Sequence, residues 1–170
     1  MTPDSKDWTW VLDRTCRECD VDSAAHDPAV TGSVLRECAR RWSAALTRPN
    51  VRERPDPRTW SPLEYGCHVR DVLRLYDERL QLMLLQDDPL YANWDQDATA
   101  VEQRYADQDP QTVATEIATA TGPLADRFDG LSGNQWQRTG RRSDGASFTV
   151  TTFAQYFLHD VLHHLHDVKG

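Results

Sequence analysis

Apolar residues recur at three- and four-residue steps in four separate stretches of the chain, and polar, proline-marked segments divide them. Over residues 30–46, Val34, Leu35, Cys38, Trp42, Ala45 and Leu46 fall on one stripe, the pattern of a helix with a single buried face. Residues 47–60 hold three prolines and many charges, which predicts a surface loop. In Ser61-Pro62-Leu63-Glu64 the serine can cap, the proline suits the first helical position and the glutamate completes a capping box, so a second helix should run from there to about residue 86. Residues 87–109 are acidic, dotted with aromatics and too long for a simple turn, which predicts a functional or partly helical loop. A third helix follows Asp109-Pro110 through Val113, Ile117, Leu124 and Phe128, with Gly122-Pro123 placed to kink or interrupt it. Between Trp136 and Phe148, Asp144-Gly145 is a hairpin signal and predicts a short two-stranded excursion. The fourth helix covers residues 151–168.

Four amphipathic helices predict an all-α, four-helix-bundle domain over residues 30–170. Residues 1–29 read as an irregular arm carrying Trp8, Trp10 and the pair Cys16-x-x-Cys19. A chain of 170 residues can bury about two-thirds of its unfolded surface in one core, so no second domain is required. The formal charge of −8 opposes sequence-blind contact with nucleic-acid phosphates or anionic lipid, and neither is expected as a partner. No apolar run approaches the roughly 20 residues that a bilayer requires, and the N-terminus lacks the order of a secretory signal. A cytoplasmic location is expected, and with it reduced cysteines.

Five of the six histidines lie in the second and fourth helices. At 100° per residue, His68 projects between Leu75 and Val72, into the bundle. His159 and His163 stand one above the other on the fourth helix, and two imidazoles at that spacing can hold one divalent ion with a third from a facing helix. Projection leaves alternatives open: Asp160 and His164 are also four apart, and His166 can replace His159.

The words Trp60-Ser61-Pro62-Leu63-Glu64-x-x-x-His68 and His159-x-x-x-His163-His164 resemble the DinB-like superfamily, which includes the mycothiol-dependent maleylpyruvate isomerases. The resemblance covers about residues 30–170 and implies a bundle of DinB-like type holding one divalent ion, Zn²⁺ or Ni²⁺, through His68, His159 and His163. In the isomerase branch the middle ligand is a glutamate; His159 in that place implies an all-histidine site. The resemblance also implies a thiol-dependent S-transferase or isomerase that presents a small thiol such as mycothiol or bacillithiol to an electrophile. A non-catalytic metal-binding bundle and a metal-dependent hydrolase are the competing readings. The arm lies outside the general family pattern and looks like an actinobacterial feature, in keeping with the arginine-rich composition. Bundles of this family often pair, and Trp8 and Trp10 can serve a homodimer contact.

Other residues carry candidate chemistry. Asp95 and Asp97 can reach over the bundle mouth as a general base, and Arg138, Arg141 and Arg142 can clamp a carboxylate or the sugar hydroxyls of a thiol cofactor. Asp160 and Asp167 can orient an imidazole. Cys16 and Cys19 offer half of a second metal site, with Cys38, Cys67 and His26 left to complete it. Cys67 points about 100° away from His68 and reads as a packing residue.

Overall fold

The computed structural model describes residues 8–170. Its helices are α1 (Thr31–Ala45), α2 (Pro62–Leu85), a short α3 (Gln96–Glu102), α4 (Pro110–Asp129) and α5 (Val150–Asp167). Three brief strands, β1 (Leu90–Tyr91), β2 (Thr139–Arg142) and β3 (Ser147–Thr149), form one small sheet in which β1 runs parallel and β3 antiparallel to the central β2. The four long helices are those the apolar periodicity predicts. No helix among the described residues is long and apolar enough to cross a membrane.

Helices α2 to α5 each start where the sequence supplies an acceptor for the unpaired amides of the first turn. Asp109 accepts from the Thr112 amide ahead of α4, Asp95 from the Ala98 amide ahead of α3, and Thr149 forms a capping box with Thr152 ahead of α5. The α2 cap is the most elaborate. Ser61 Oγ accepts from the Glu64 amide at 3.3 Å, and Glu64 Oε2 accepts in return from the Ser61 amide at 2.9 Å and the Ser61 hydroxyl at 2.8 Å. The Arg54 guanidinium, from the proline-rich connector, adds a two-pronged ion pair, with Nε donating to Glu64 Oε2 at 2.9 Å.

Helix α1 packs chiefly on α4, and α2 lies between α4 and α5. Gly32 permits the closest α1–α4 approach, since a Cβ there would sit 2.7 Å from the Ala125 carbonyl oxygen. The middle of the core is aromatic: Tyr76 of α2 stacks on Phe153 and Phe157 of α5 with ring centroids 4.6 and 4.5 Å apart, a geometry favourable beyond simple burial.

Two expectations are corrected. Pro123 does not interrupt α4, which runs unbroken to Asp129 with Ile117, Leu124 and Phe128 buried on both sides of the proline. Packing of that face outweighs the one amide hydrogen bond that proline removes. The hairpin around Asp144-Gly145 is present, with Gly145 at φ +100°, but Leu90–Tyr91 joins it as a third strand. The polar segment 87–109 thereby gains a strand, and it also holds α3 and a single 3₁₀ turn at Tyr105–Asp107.

Glu64→Ala removes the cap and leaves Arg54 without its carboxylate, and should destabilise the protein by about 2–3 kcal/mol in denaturant titration. Burial alone would raise the Glu64 pKa, but the bonds from Arg54 and Ser61 outweigh it and hold the carboxyl below its ordinary value near 4.5. A depressed pKa stabilises the fold above the unfolded-state value and loses that contribution as pH falls, so the gap between parent and variant should narrow below about pH 4.5.

Candidate metal centre

The α2–α5 seam opens on a cavity of about 840 Å³, closed over by the Asn93–Asp97 loop, the sheet and the first residues of the described arm. His68 enters it from the buried face of α2, where Val72, Tyr76 and Arg79 follow at helical spacing. Asp160 and His164 enter from α5. The ligand atoms of His68, Asp160 and His164 all lie within 4.8 Å of one another, with His68 Nε2 3.7 Å and His164 Nε2 3.5 Å from the Asp160 carboxylate.

The rings around these donors are held tightly. Trp94 stacks on His68 with centroids 5.4 Å apart and planes 12° from parallel, and its indole N–H donates to Thr99 Oγ1 at 2.8 Å. Trp60 tilts against the same imidazole at 5.5 Å. His164 pairs through Nδ1 with Asp167 Oδ2 at 3.0 Å, which orients its Nε2 toward Asp160 as an outer carboxylate orients a ligating imidazole.

Both His68 nitrogens and Asp160 Oδ2 are shielded from solvent with no hydrogen-bond partner. Buried polar atoms rarely stay unsatisfied, so the His68 imidazole and the Asp160 oxygen left this way, with the His164 ring beside them, fit a divalent ion well. Three ligands leave further coordination positions facing the cavity. Burial lowers the His68 pKa and keeps that ring neutral with a lone pair to give. Burial would lower His164 as well, but Asp160, then Asp167, override it and raise the pKa to about 9.

The three histidines predicted as one ligand set are thus divided. His68 joins Asp160 and His164, the pair left open as an alternative, whereas His159 and His163 face Cys16 and Cys19. One residue along α5 is a 100° turn, and that step separates the two arrangements. His166 is exposed and belongs to neither set.

The remaining candidates also separate. Asp95 and Asp97 line the cavity, although Asp95 also caps α3. Arg142 lines it too, donating through Nε to Asp144 at 2.9 Å, with Tyr156 OH 3.5 Å away. Arg138, just before β2, instead binds the Met83 and Gln86 carbonyls at the end of α2, and Arg141, turned away from the Arg142 face by strand alternation, pairs with Asp88 at 2.7 Å; neither lines the cavity. Cys38 and Cys67 are buried in the core, where burial pushes their thiols up to about 11 and about 12, so they do not complete the Cys16-x-x-Cys19 pair, and neither does His26. Trp8, an expected dimer contact, stacks on Trp10 and packs against His159 and His163.

Arg79 escaped the sequence reading. It is buried on the cavity wall, donating to the Ala92 carbonyl at 2.7 Å and lying over the Tyr91 ring at 4.8 Å, while its Nε has no partner. Burial lowers its pKa. An arginine eleven residues after His68, on the same helical face, was the available signal.

A family model for the DinB superfamily matches residues 34–168, and the chain belongs to that superfamily. Among solved structures it is similar to YfiT from Bacillus subtilis, described as "a probable metal-dependent hydrolase with an unusual four-helix bundle topology", at 18% identity and a TM-score of 0.72 over 82% of each chain. At that identity the likeness establishes a shared fold. No curated protein matches the chain.

Replacing His68 and His164 together by alanine should remove one bound metal per chain from untagged, metal-reconstituted protein, as read by elemental analysis. In chelator-treated protein, His164→Ala alone should still cost about 1–3 kcal/mol in denaturant titration, because Asp160 loses its charged partner.

Proposed function

We propose that this protein is a metal-dependent enzyme that activates a small thiol for transfer or isomerisation chemistry on an electrophile bearing an anionic group. The observation that carries this reading is the convergence of His68, Asp160 and His164 at the wall of an 840 Å³ cavity, with both His68 nitrogens and Asp160 Oδ2 out of solvent and unsatisfied. The set is two imidazoles and one carboxylate, which is the ligand pattern that resemblance attributes to the mycothiol-dependent isomerases. A divalent ion held there would supply Lewis-acid chemistry, lowering the pKa of a thiol or water that occupies an open position.

The chain's own residues do the rest. Asp160 lies between the two imidazoles and would offset part of the charge of an ion held there, and Asp167 fixes the His164 ring from behind. Trp94 stacks on His68 and Trp60 tilts against it, which fixes the ring's orientation. Arg79 offers a cation whose Nε is unmatched, and a substrate carboxylate would satisfy it. Arg142 already has Asp144 as a partner, so its role is to hold the hairpin against Tyr156 and shape the wall. Mycothiol is the thiol we assign, from the resemblance to the mycothiol-dependent isomerases.

One observation favours a second reading, hydrolysis. Asp97 lines the same cavity with one carboxylate oxygen shielded from solvent, and is suited to take a proton from water. The fold is also that of YfiT, whose description names a hydrolase.

Metal-reconstituted protein assayed with mycothiol against carboxylate-bearing electrophiles, and with ester and amide panels lacking thiol, separates the two. Thiol-dependent turnover should be found and be lost in His68→Ala and Asp160→Ala. Arg79→Met should raise KM for the carboxylate substrates roughly tenfold or more. Turnover without thiol that falls in Asp97→Asn would establish hydrolysis instead, and a metal-loaded protein inert toward both panels would overturn the enzymatic reading.

A further inference from the structure

A second convergence of donors lies one residue step around α5 from the first. Cys16 and Cys19 of the arm meet His159 and His163, and the four ligand atoms are all within 4.8 Å of one another. Cys16 Sγ is 3.8 Å from His163 Nδ1, and Cys19 Sγ is 3.7 Å from His159 Nε2. Zinc bond lengths of about 2.3 Å to sulfur and 2.0–2.1 Å to nitrogen set a tetrahedral sulfur–nitrogen edge of roughly 3.5–3.6 Å, and both measured separations come within about 0.3 Å of it.

The surroundings favour an ion over two independent thiol–imidazole contacts. The chain turns sharply between the cysteines and Val21: the Cys16 amide donates to the Val21 carbonyl, the Asp20 amide to the Cys16 carbonyl, both at 2.9 Å, and Asp20 takes φ +59°. That turn brings both sulfurs to one side. The far nitrogen of His163, Nε2, lies 3.6 Å from Glu18 and 3.7 Å from Asp167, where outer carboxylates sit around ligating histidines. Before α1 the described arm has only two short 3₁₀ segments, and Val11 and Cys16 are its buried apolar residues. So small an apolar contact is a weak hold on more than twenty residues, and segments of that kind are commonly fixed by a metal or cross-link.

We propose that Cys16, Cys19, His159 and His163 bind a closed, four-coordinate zinc ion that fastens the N-terminal arm to α5 and so sets one wall of the cavity. Two thiolates balance the ion's charge, and binding releases the two thiol protons. Four protein ligands leave no open position, which makes this site structural where the first is open. Trp8 is the link between them. Its ring lies 5.7 Å from His159 and 5.3 Å from His163, and Trp8 and Thr9 line the cavity.

Cobalt(II) titration of the reduced, untagged full chain tests this. The parent should take up two equivalents and show intense near-ultraviolet thiolate-to-cobalt charge transfer with tetrahedral ligand-field bands, all bleached by added zinc. Cys16→Ser/Cys19→Ser should lose the charge transfer and one equivalent, while His68→Ala/His164→Ala keeps the charge transfer and loses the other. A parent without charge transfer, a band that survives in the serine variant, or a band lost with His68 and His164 would each overturn the proposal. Should the serine variant fail to fold, the parent still decides. Zinc must protect two thiols from alkylation, located by mass spectrometry at Cys16 and Cys19, and equal labelling with and without zinc would overturn it.

Discussion

Helix α5 carries two donor pairs with the same four-residue spacing, His159 with His163 and Asp160 with His164, offset by a single residue. Because an α-helix advances 100° per residue, one offset turns the pairs to adjacent faces, toward the arm and toward α2. Both arrangements therefore depend on one rotational setting of α5. That setting is fixed by Phe153, Phe157, Val161 and Leu165, which are buried along the helix, and by the stack of Tyr76 on the first two. The aromatic core is thus also the element that aims the donors.

The same geometry explains what was legible in the sequence. The four long helices could be read because each has a buried stripe and two have an explicit start signal, at Ser61 and Asp109. The helices that carry the clustered donors could be read. His68 was correctly aimed inward, and α5 was recognised as a source of paired ligands, but neighbouring pairs with identical spacing cannot be told apart by periodicity when both flank buried apolar positions. Resemblance favoured the histidine pair, whereas packing set Asp160 and His164 toward His68. The short strand Leu90–Tyr91 left no trace, since two residues carry no period and gain their pairing only from β2. The partners of Cys16 and Cys19 were hidden for another reason: they lie at the opposite end of the chain.

The division of labour among charged residues also follows from position. Arg138, Arg141 and Arg142 sit close together in sequence, yet one binds the end of α2, one pairs with Asp88, and one reaches the cavity. Strand alternation parts Arg141 from Arg142, and the carbonyls at the end of α2 hold Arg138. Arg79 belongs to a helix whose buried face it shares with His68, so it arrives in the cavity with its long stem packed among aromatic rings and a guanidinium nitrogen to spare. A cation held in that way discriminates by charge more than by shape.

The arm and α5 meet across 140 and 147 residues of chain, from Cys19 to His159 and from Cys16 to His163. Few contacts in a domain of this size have a greater sequence separation, and such contacts form late because most of the chain must first be ordered. An ion joining those ends would close a loop around almost the whole bundle. In the chain-entropy picture, a link spanning more than a hundred residues disfavours the unfolded ensemble by about 5 kcal/mol. The arm would then act as the latch that converts a bundle able to open from either end into a closed ring.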